Sequence, residues 1–262
     1  MGPVTDNRLR AGALAWLLTL QFFVVEAIAA GRYDGPYSRA DDVISDLGAA
    51  ASPAASTMNA SFAVQGVLIA AGAWLLRPAL LRGAGAVAPV LLGGAGAGVL
   101  LVGVFPSDGN ATMHAIGAVL YLLGGGLGLI ALAYAVRPRS ELLGTALALL
   151  GLLGTAATVF FLTGVVSYLG EGGTERVAAY VLPIGLALAG VVLWRLGSTA
   201  AAPDGADRPT RREERERDRA ERGERERQRD EALDEAARRK AHGTAGPAGA
   251  GDDDFRADPR RS

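Results

Sequence analysis

Long apolar stretches alternate with short polar ones along residues 1–197 of the 262-residue chain. Six of these stretches are long enough to cross the hydrocarbon core of a bilayer, which takes about 20 residues of helix. They cover residues 9–30, 57–76, 86–104, 113–136, 142–166 and 177–196. Proline stands two residues after the end of three of them, and proline disfavours continuation of a helix. The pattern predicts an all-α fold, a polytopic membrane bundle of six transmembrane helices.

Residues 198–262 differ in composition and form a second predicted domain after the transmembrane domain of residues 1–197. They hold 16 basic and 17 acidic residues and almost no large apolar side chains, so they cannot build a hydrophobic core. Opposite charges recur four residues apart over 211–240, which favours a solvated helix weakened at Gly223. We expect residues 241–262 to be disordered.

The balance of charge in this tail also limits its partners. Because the acidic residues cancel the basic ones, we expect no binding to nucleic acid. A cytoplasmic protein is the kind of partner that such a tail would suit, and the lipid bilayer is the partner of the six apolar stretches.

The placement of arginine predicts how the bundle sits in the membrane. Arginines occur before the first span, between the second and third, between the fourth and fifth, and after the sixth. Connections rich in arginine stay in the cytoplasm. We therefore expect a multi-pass plasma-membrane protein with both termini cytoplasmic. A rival interpretation is a signal peptide, since Arg8 and Arg10 precede an apolar run that ends in Ala-Ile-Ala at residues 27–29.

One stretch of the first predicted outer connection is unusually rich in charge. The sequence "YSRADDVISDLGA" covers residues 37–49. Ser38 suits the N-cap of a helix and Gly48 suits its end. We therefore expect a short amphipathic helix over 38–47 that lies on the outer end of the bundle or in the interface. Its apolar side would hold Val43, Ile44 and Leu47.

The unusual polar residues of the membrane part fall on this same predicted side. Ionisable groups close to the hydrocarbon core usually face a cavity or a partner. The candidate site residues are Glu26, Ser45, Asp46, Asp108 and His114.

His114 is the only histidine in residues 1–197, and it falls in the first turn of the fourth predicted span. The helix dipole disfavours a positive charge at that position. A neutral histidine beside a carboxyl group can act as a base or ligand, whereas the alternative is a structural hydrogen bond from His114 to Asp108 or to a loop carbonyl. We expect Asp46 of the loop helix to turn toward Asp108 and His114.

The remaining acidic residues of this side have simpler interpretations. Glu26 lies within a predicted span, and Arg32, Arg39 or Arg176 could pair with it. Glu171 and Glu175 are expected to be ordinary carboxylates of a loop or of the first turn of the last span.

Several kinds of chemistry are disfavoured by the sequence. The chain has no cysteine, which excludes thiolate catalysis and cysteine-bound metals. A single histidine does not supply the ligands of a typical zinc site or of a two-histidine haem. The run "GGAGAG" at 93–98 lies inside a predicted span, so Gly94 with Gly98, and likewise Gly124 with Gly128, indicate close helix packing rather than a nucleotide loop. We expect no cofactor and no metal.

Two motifs at this spacing resemble a known family. "ISDLGA" at 44–49 and "GVFPSDGNATMHAIGA" at 103–118, within six apolar spans, are similar to the DUF998 family of bacterial membrane proteins. The resemblance covers residues 10–197 and not the tail. It implies six helices and a membrane location, but it implies neither a reaction nor a cofactor.

Three functions stay open on the sequence alone. A membrane-embedded hydrolase of lipid or envelope substrates would bring His114, Asp46 and Asp108 together in a cavity. A small-solute transporter or ligand-binding protein would extend a polar path to the midplane near Gln21. In a structural protein the outer polar residues would only pair with one another.

Overall fold

The computed structural model describes residues 6–80, 84–200, 219 and 222–231. Over residues 6–80 and 84–200 the chain forms seven α-helices, and no strand occurs among the described residues. The helices are α1 (Asp6–Leu18), α2 (Gln21–Gly31), α3 (Ala55–Leu76), α4 (Ala84–Val104), α5 (Ala111–Val136), α6 (Glu141–Leu162) and α7 (Glu171–Ala200). Six stretches of the described chain are long and apolar enough to cross a membrane. The predicted all-α, six-span architecture is confirmed.

The first span consists of two helices, because regular hydrogen bonding is interrupted at Thr19 and Leu20. The Thr19 amide donates to the Trp16 carbonyl at 3.3 Å, and the Leu20 amide donates to the Leu17 carbonyl at 3.2 Å. Both bonds reach back three residues instead of four, which tightens the turn. The Thr19 hydroxyl also donates to the Trp16 carbonyl. The helix resumes at Gln21, so a polar side chain stands at the interruption.

Consecutive helices from α3 to α7 pack side by side, and α1 packs on both α3 and α7, which closes the bundle. Glycines mark the closest approaches. A Cβ added at Gly98 would lie 2.6 Å from the Gly117 carbonyl oxygen, and one at Gly96 would lie 2.7 Å from the Gly66 carbonyl oxygen. Gly94, in contrast, faces open space, so its predicted role in close packing is wrong.

The connections between helices gather at two ends of the bundle. We call one end the polar end, and it holds the connections 32–54, 105–110 and 163–170. The other is called the arginine end, and it holds the start of α1 and the connections that follow α3 and α5. All five sequence-based candidate residues lie at or near the polar end.

The predicted loop helix over 38–47 is wrong in form. The chain first makes a turn in which Ser38 Oγ accepts a hydrogen bond from the Asp41 amide at 3.3 Å. It then extends at Val43, with φ −75° and ψ 156°, and a short 3₁₀ helix follows at Ile44–Gly48. We call this element the loop 3₁₀ helix.

The physical reason for the difference is tertiary. Ile44 and Leu47 are buried, as their apolar character predicts. However, the Ile44 amide donates to the Glu175 carboxyl group of α7 instead of to the preceding turn. A continuous helix would have used that amide within its own ladder.

The last two helices also begin and end elsewhere than predicted. The fifth span was expected to run to residue 166, but α6 ends before Gly164, which adopts φ 72°. The Val165 amide reaches back to the Phe160 carbonyl at 2.9 Å, which is the Schellman form of helix ending. The next helix, α7, starts at Glu171, six residues before the predicted start of the sixth span.

In the tail, residues 222–231 are helical and largely exposed. They belong to the run with alternating charge. Most of that run and the expected disorder of 241–262 lie outside the described residues.

Candidate functional site at the polar end

A buried ion pair joins the first and last spans. Arg176 Nε donates to Glu26 Oε1 at 2.9 Å, and the Tyr180 hydroxyl donates to Glu26 Oε2 at 2.6 Å. Glu26 is 1 % exposed and Arg176 is 6 % exposed. Of the three arginines that the sequence offered as partners for Glu26, the structure selects Arg176. Charges this far from water need additional hydrogen bonds to offset their desolvation.

The first polar-end loop supplies those bonds to Arg176. Its NH1 group donates to the carbonyls of Arg39 and Asp42 at 2.8 and 2.7 Å, and its NH2 group donates to the Tyr37 hydroxyl at 2.6 Å. The guanidinium also lies 5.7 Å from the centroid of the Tyr37 ring. Burial raises the pKa of Tyr37 to about 12, so the hydroxyl keeps its proton, which it donates to the Val43 carbonyl at 3.2 Å. We call this arrangement of Arg176, Glu26 and the loop the arginine clamp.

Glycines at the start of α7 let the loop approach closely. Gly170 adopts φ 76°, a backbone conformation that suits glycine. A Cβ at Gly172 would collide with the Asp42 carbonyl oxygen, and the Gly173 amide donates to the Ala40 carbonyl at 2.9 Å. The sequence "GEGG" thus places loop backbone directly against the helix start.

Glu175 lies in the second turn of α7 and faces inward. It accepts the Ile44 amide of the loop 3₁₀ helix and also lines a cavity beneath that helix. The expectation that Glu175 is an ordinary loop or first-turn carboxylate is therefore wrong. Glu171 is exposed in the first turn of α7, as that expectation described it.

The cavity beneath the loop 3₁₀ helix, which we call the polar-end cavity, has a volume of about 30 Å³. That is room for about one or two water molecules. Its polar lining residues are Ser45, His114, Tyr121 and Glu175. Its apolar lining residues are Phe22, Ile44, Phe62, Val99, Val102, Ala118, Leu122 and Ala179. Its lining, a mainly apolar wall with a few polar groups, is of the kind found in ligand sites, and its volume suits a single small group.

His114 is held by one end of its ring. Its Nδ1 lies 2.8 Å from the Phe105 carbonyl oxygen. A carbonyl can only accept, so Nδ1 carries a proton, and in the neutral ring Nε2 then keeps a lone pair. Of the alternatives for His114, the loop carbonyl is the hydrogen-bond partner that the structure supplies. The same bond orients the ring and gives it a defined tautomer.

Among the described residues, no hydrogen bond joins Asp108 to His114. Its Oδ2 instead accepts the Ala50 amide at 2.7 Å, at the end of the first polar-end loop. Asp108 is exposed, and it is not among the residues that line the polar-end cavity. Its contact fastens the loop to the connection between α4 and α5.

Asp46 also lies outside the lining of the polar-end cavity. It is partly buried, and burial raises its pKa above the usual range, with the carboxylates of Asp42 and Glu171 adding to the effect. Among the described residues no hydrogen bond joins Asp46 to His114. The preceding residue, Ser45, lines the cavity instead.

Below the cavity, buried polar groups continue into the bundle. The Tyr121 hydroxyl donates to the Ala179 carbonyl at 3.1 Å. That carbonyl lacks its usual helical partner because Pro183, four residues later, has no amide hydrogen. The Gln65 side chain lies beside the Tyr121 hydroxyl, and its Nε2 has no hydrogen-bond partner within the described parts of the chain.

Gln65 connects this group to the interruption of the first span. Gln21 Nε2 donates to Gln65 Oε1 at 3.4 Å, and Ser61 Oγ donates to Gln21 Oε1 at 3.0 Å. Gln65 is fully buried and Ser61 is 4 % exposed. Gln21 stands ten residues before the end of α2 at Gly31, or about 15 Å along the helix, which is close to mid-membrane depth.

Sequence reasoning assigned Glu175 an ordinary role and missed two further groups, Tyr121 and Gln65. The signal for Gln65 was present, because an amide side chain inside an apolar span is costly unless it has a partner. Tyr121 carried a weaker signal, as its spacing from His114 placed both residues on one face of α5. The described residues contain no group of three or more His, Asp or Glu side chains placed to hold a metal ion.

The fold and the site together define a class of protein. Six apolar helices around buried polar groups make the chain an integral, multi-pass membrane protein. A family described as "Protein of unknown function (DUF998)" matches residues 13–200, and the chain belongs to this family. No curated protein and no solved structure matches the chain.

Proposed function

We propose that the chain is a ligand-binding or transport protein of the cell membrane that takes up a small polar group in the polar-end cavity. The observation that carries this proposal is the convergence of Ser45, His114 and Glu175 on one mainly apolar cavity. His114 Nε2 offers a lone pair, the Ser45 hydroxyl donates or accepts, and the Glu175 carboxyl group accepts. A hydroxyl, an ammonium group or a water molecule has the size and hydrogen-bonding capacity for this site.

The buried polar groups below the cavity support transport in particular. Tyr121, Gln65 and Gln21 lead from the cavity toward mid-membrane depth, where the first span is interrupted. Interrupted membrane helices near mid-membrane depth are characteristic of secondary transporters. The Gln65 side chain lies between the Tyr121 hydroxyl and Gln21 and so connects the polar groups of this series.

The distribution of arginine supports an extracytoplasmic position for the polar end. Arg8, Arg77, Arg137 and Arg139 lie at the arginine end, and arginine-rich connections face the cytoplasm. The polar-end cavity would then open toward the outside of the cell.

A thermal-shift screen of the purified full chain in detergent tests this proposal. The panel consists of small amines, alcohols and polyols. A compound that binds the native state raises the unfolding temperature. We expect at least one compound to stabilise the natural protein and to lose that effect in His114→Gln and Glu175→Gln. Asp108→Asn is the matched control, because Asp108 is a polar-end residue that does not line the cavity. If every active compound stabilises the His114→Gln and Glu175→Gln variants as much as the natural protein, the cavity is not the binding site.

The tautomer of His114 favours a second candidate, a hydrolase of lipid or envelope substrates. With Nδ1 bound to the Phe105 carbonyl, Nε2 is available as a general base, and Ser45 lines the same cavity as a potential nucleophile. A fluorescent fluorophosphonate probe, applied to the protein in native membranes, distinguishes the two functions. Covalent labelling that disappears in Ser45→Ala and His114→Gln would support hydrolysis, whereas absence of labelling leaves binding or transport.

A further inference from the structure

An open groove lies between α3 and α4 at the arginine end, far along the bundle from the polar-end cavity. Its volume is about 320 Å³. Ala70, Trp74 and Arg77 line it from α3 and its continuation, and Pro89, Val90 and Gly93 line it from α4. From Ala70 to Arg77 the groove extends about 10 Å along the helix axis.

Small side chains and glycine leave this groove unfilled. A Cβ at Gly93 would meet nothing within 4 Å, so the groove floor is open there. The groove also lies beside Pro89, where the hydrogen-bond ladder of α4 is interrupted. Toward the polar end, the Gly66–Gly96 contact brings the two helices together and limits the groove.

The groove faces the lipid side of the bundle. Trp74 is 65 % exposed and Val90 is 73 % exposed, although both are apolar. In a membrane-spanning chain such surface is covered by hydrocarbon chains, and a tryptophan near the end of a span lies at headgroup level. The groove therefore runs from headgroup level into the hydrocarbon.

Positive charge lies at the headgroup end of the groove. Arg77 is exposed at its mouth, and within the described residues it has no carboxylate ion-pair partner. Arg8 lies close by, because its guanidinium donates to the Trp74 and Leu75 carbonyls at 3.0 Å. An arginine at the mouth of an apolar groove, with a second arginine nearby, matches the charge of a phosphate group and the shape of an acyl chain.

We propose that this groove is a binding site for an anionic phospholipid. One acyl chain lies along the small residues between α3 and α4, and the lipid phosphate pairs with the Arg77 guanidinium. The Arg8 guanidinium adds to the positive field, and the Trp74 indole covers the lipid glycerol region. This site is independent of the polar-end cavity and of any function proposed for it.

Native mass spectrometry of the purified full chain in detergent tests the proposal. The probes are phosphatidylglycerol and phosphatidylcholine with identical acyl chains. We expect phosphatidylglycerol to be retained more strongly than phosphatidylcholine. Arg77→Gln should weaken phosphatidylglycerol binding by about fivefold, the factor that corresponds to one arginine near an anionic lipid surface. Arg139→Gln, an exposed arginine in another connection at the same end, is the matched charge control and should bind normally.

Glycine variants test the acyl-chain part of the site. Gly93→Leu should fill the groove and reduce binding of both lipids, whereas Gly94→Leu should not, because Gly94 also faces open space but does not line the groove. Ala70→Leu fills the same groove from α3, and it replaces Gly93→Leu in this test if Gly93→Leu does not fold. Equal retention of the two lipids, or the same effect from Gly93→Leu and Gly94→Leu, would overturn the proposal. A dimer that these substitutions abolish would assign the groove to a second copy of the chain instead.

Discussion

The aspartates of the first polar-end loop have different environments although they stand only a few residues apart. Asp42 Oδ2 accepts the Ser38 amide at 2.7 Å, and Asp41 Oδ2 accepts the Ser38 hydroxyl at 2.7 Å, so both hold a turn. Asp46 instead lies partly buried near other carboxylates. Asp41 and Asp42 thus stabilise a local turn, whereas the charged form of Asp46 opposes folding.

The pKa of Asp46 leads to a prediction on stability and pH. Because burial raises this pKa above its value in the unfolded chain, the native state binds the proton more tightly. The ionised carboxylate therefore lowers stability at neutral pH, and stability rises as pH falls through the raised pKa. We expect Asp46→Asn to raise the unfolding temperature at pH 7 by about 2 °C. The unfolding temperature of this variant should also change less between pH 7 and pH 4.5 than that of the natural protein.

Thermal unfolding in detergent across this pH range is the measurement. Asp34→Asn removes a carboxylate from an exposed position of the same loop and is the control, with little expected effect. A lower unfolding temperature for Asp46→Asn at pH 7 would contradict the assigned environment of Asp46.

At the scale of elements, the arginine clamp determines where the loop lies on α7. Turns and the loop 3₁₀ helix organise the loop backbone locally, whereas its carbonyls at Arg39 and Asp42 accept hydrogen bonds from Arg176 of α7. The same guanidinium neutralises Glu26 of α2. Removal of either charge therefore affects two helices and the loop together.

We expect Arg176→Met to destabilise the protein by about 3–5 kcal/mol, because it leaves the Glu26 carboxylate buried without a counter-charge. The double variant Glu26→Met/Arg176→Met should be less destabilised than the sum of the two single variants, since no uncompensated charge remains. Denaturant unfolding in detergent measures these differences. Arg137→Met breaks an exposed pair with Glu141 and should cost less than about 1 kcal/mol. Additive effects of the Glu26 and Arg176 substitutions would show that the two side chains do not act as a pair.

At the scale of the whole molecule, the two ends of the bundle differ in chemistry. The polar end combines a buried ion pair, a cavity and acidic loops, whereas the arginine end carries several arginines and the lipid-facing groove. Such an asymmetry matches the different environments of the two faces of a cell membrane.

This asymmetry predicts the orientation of the chain. A reporter that is active only in the cytoplasm should be active when fused after Ser198 and silent when inserted near Gly109, in the exposed connection between α4 and α5. A periplasmic or extracellular reporter at the same two positions is the control and should show the opposite pattern. Cytoplasmic activity at Gly109 with silence after Ser198 would reverse the orientation and place the polar-end cavity inside the cell.

The sequence by itself determined the number of spans, the family and the end at which the polar residues gather. These follow from the length and composition of contiguous segments, because about 20 apolar residues must form a helix to satisfy their backbone in a bilayer. Helix ends were less well predicted. Gly164 ends α6 within an apolar run, and α7 begins at Glu171, before the next apolar run.

Only the tertiary structure decided which polar groups meet. Glu26 and Arg176 are 150 residues apart, and three arginines were plausible partners until the first and last spans were seen side by side. His114 was expected near Asp46, yet the loop donates its Ile44 amide to α7 and turns Ser45 to the cavity instead. A contact between distant segments depends on helix rotation and on backbone groups, and neither is encoded in the local pattern of apolar and polar residues.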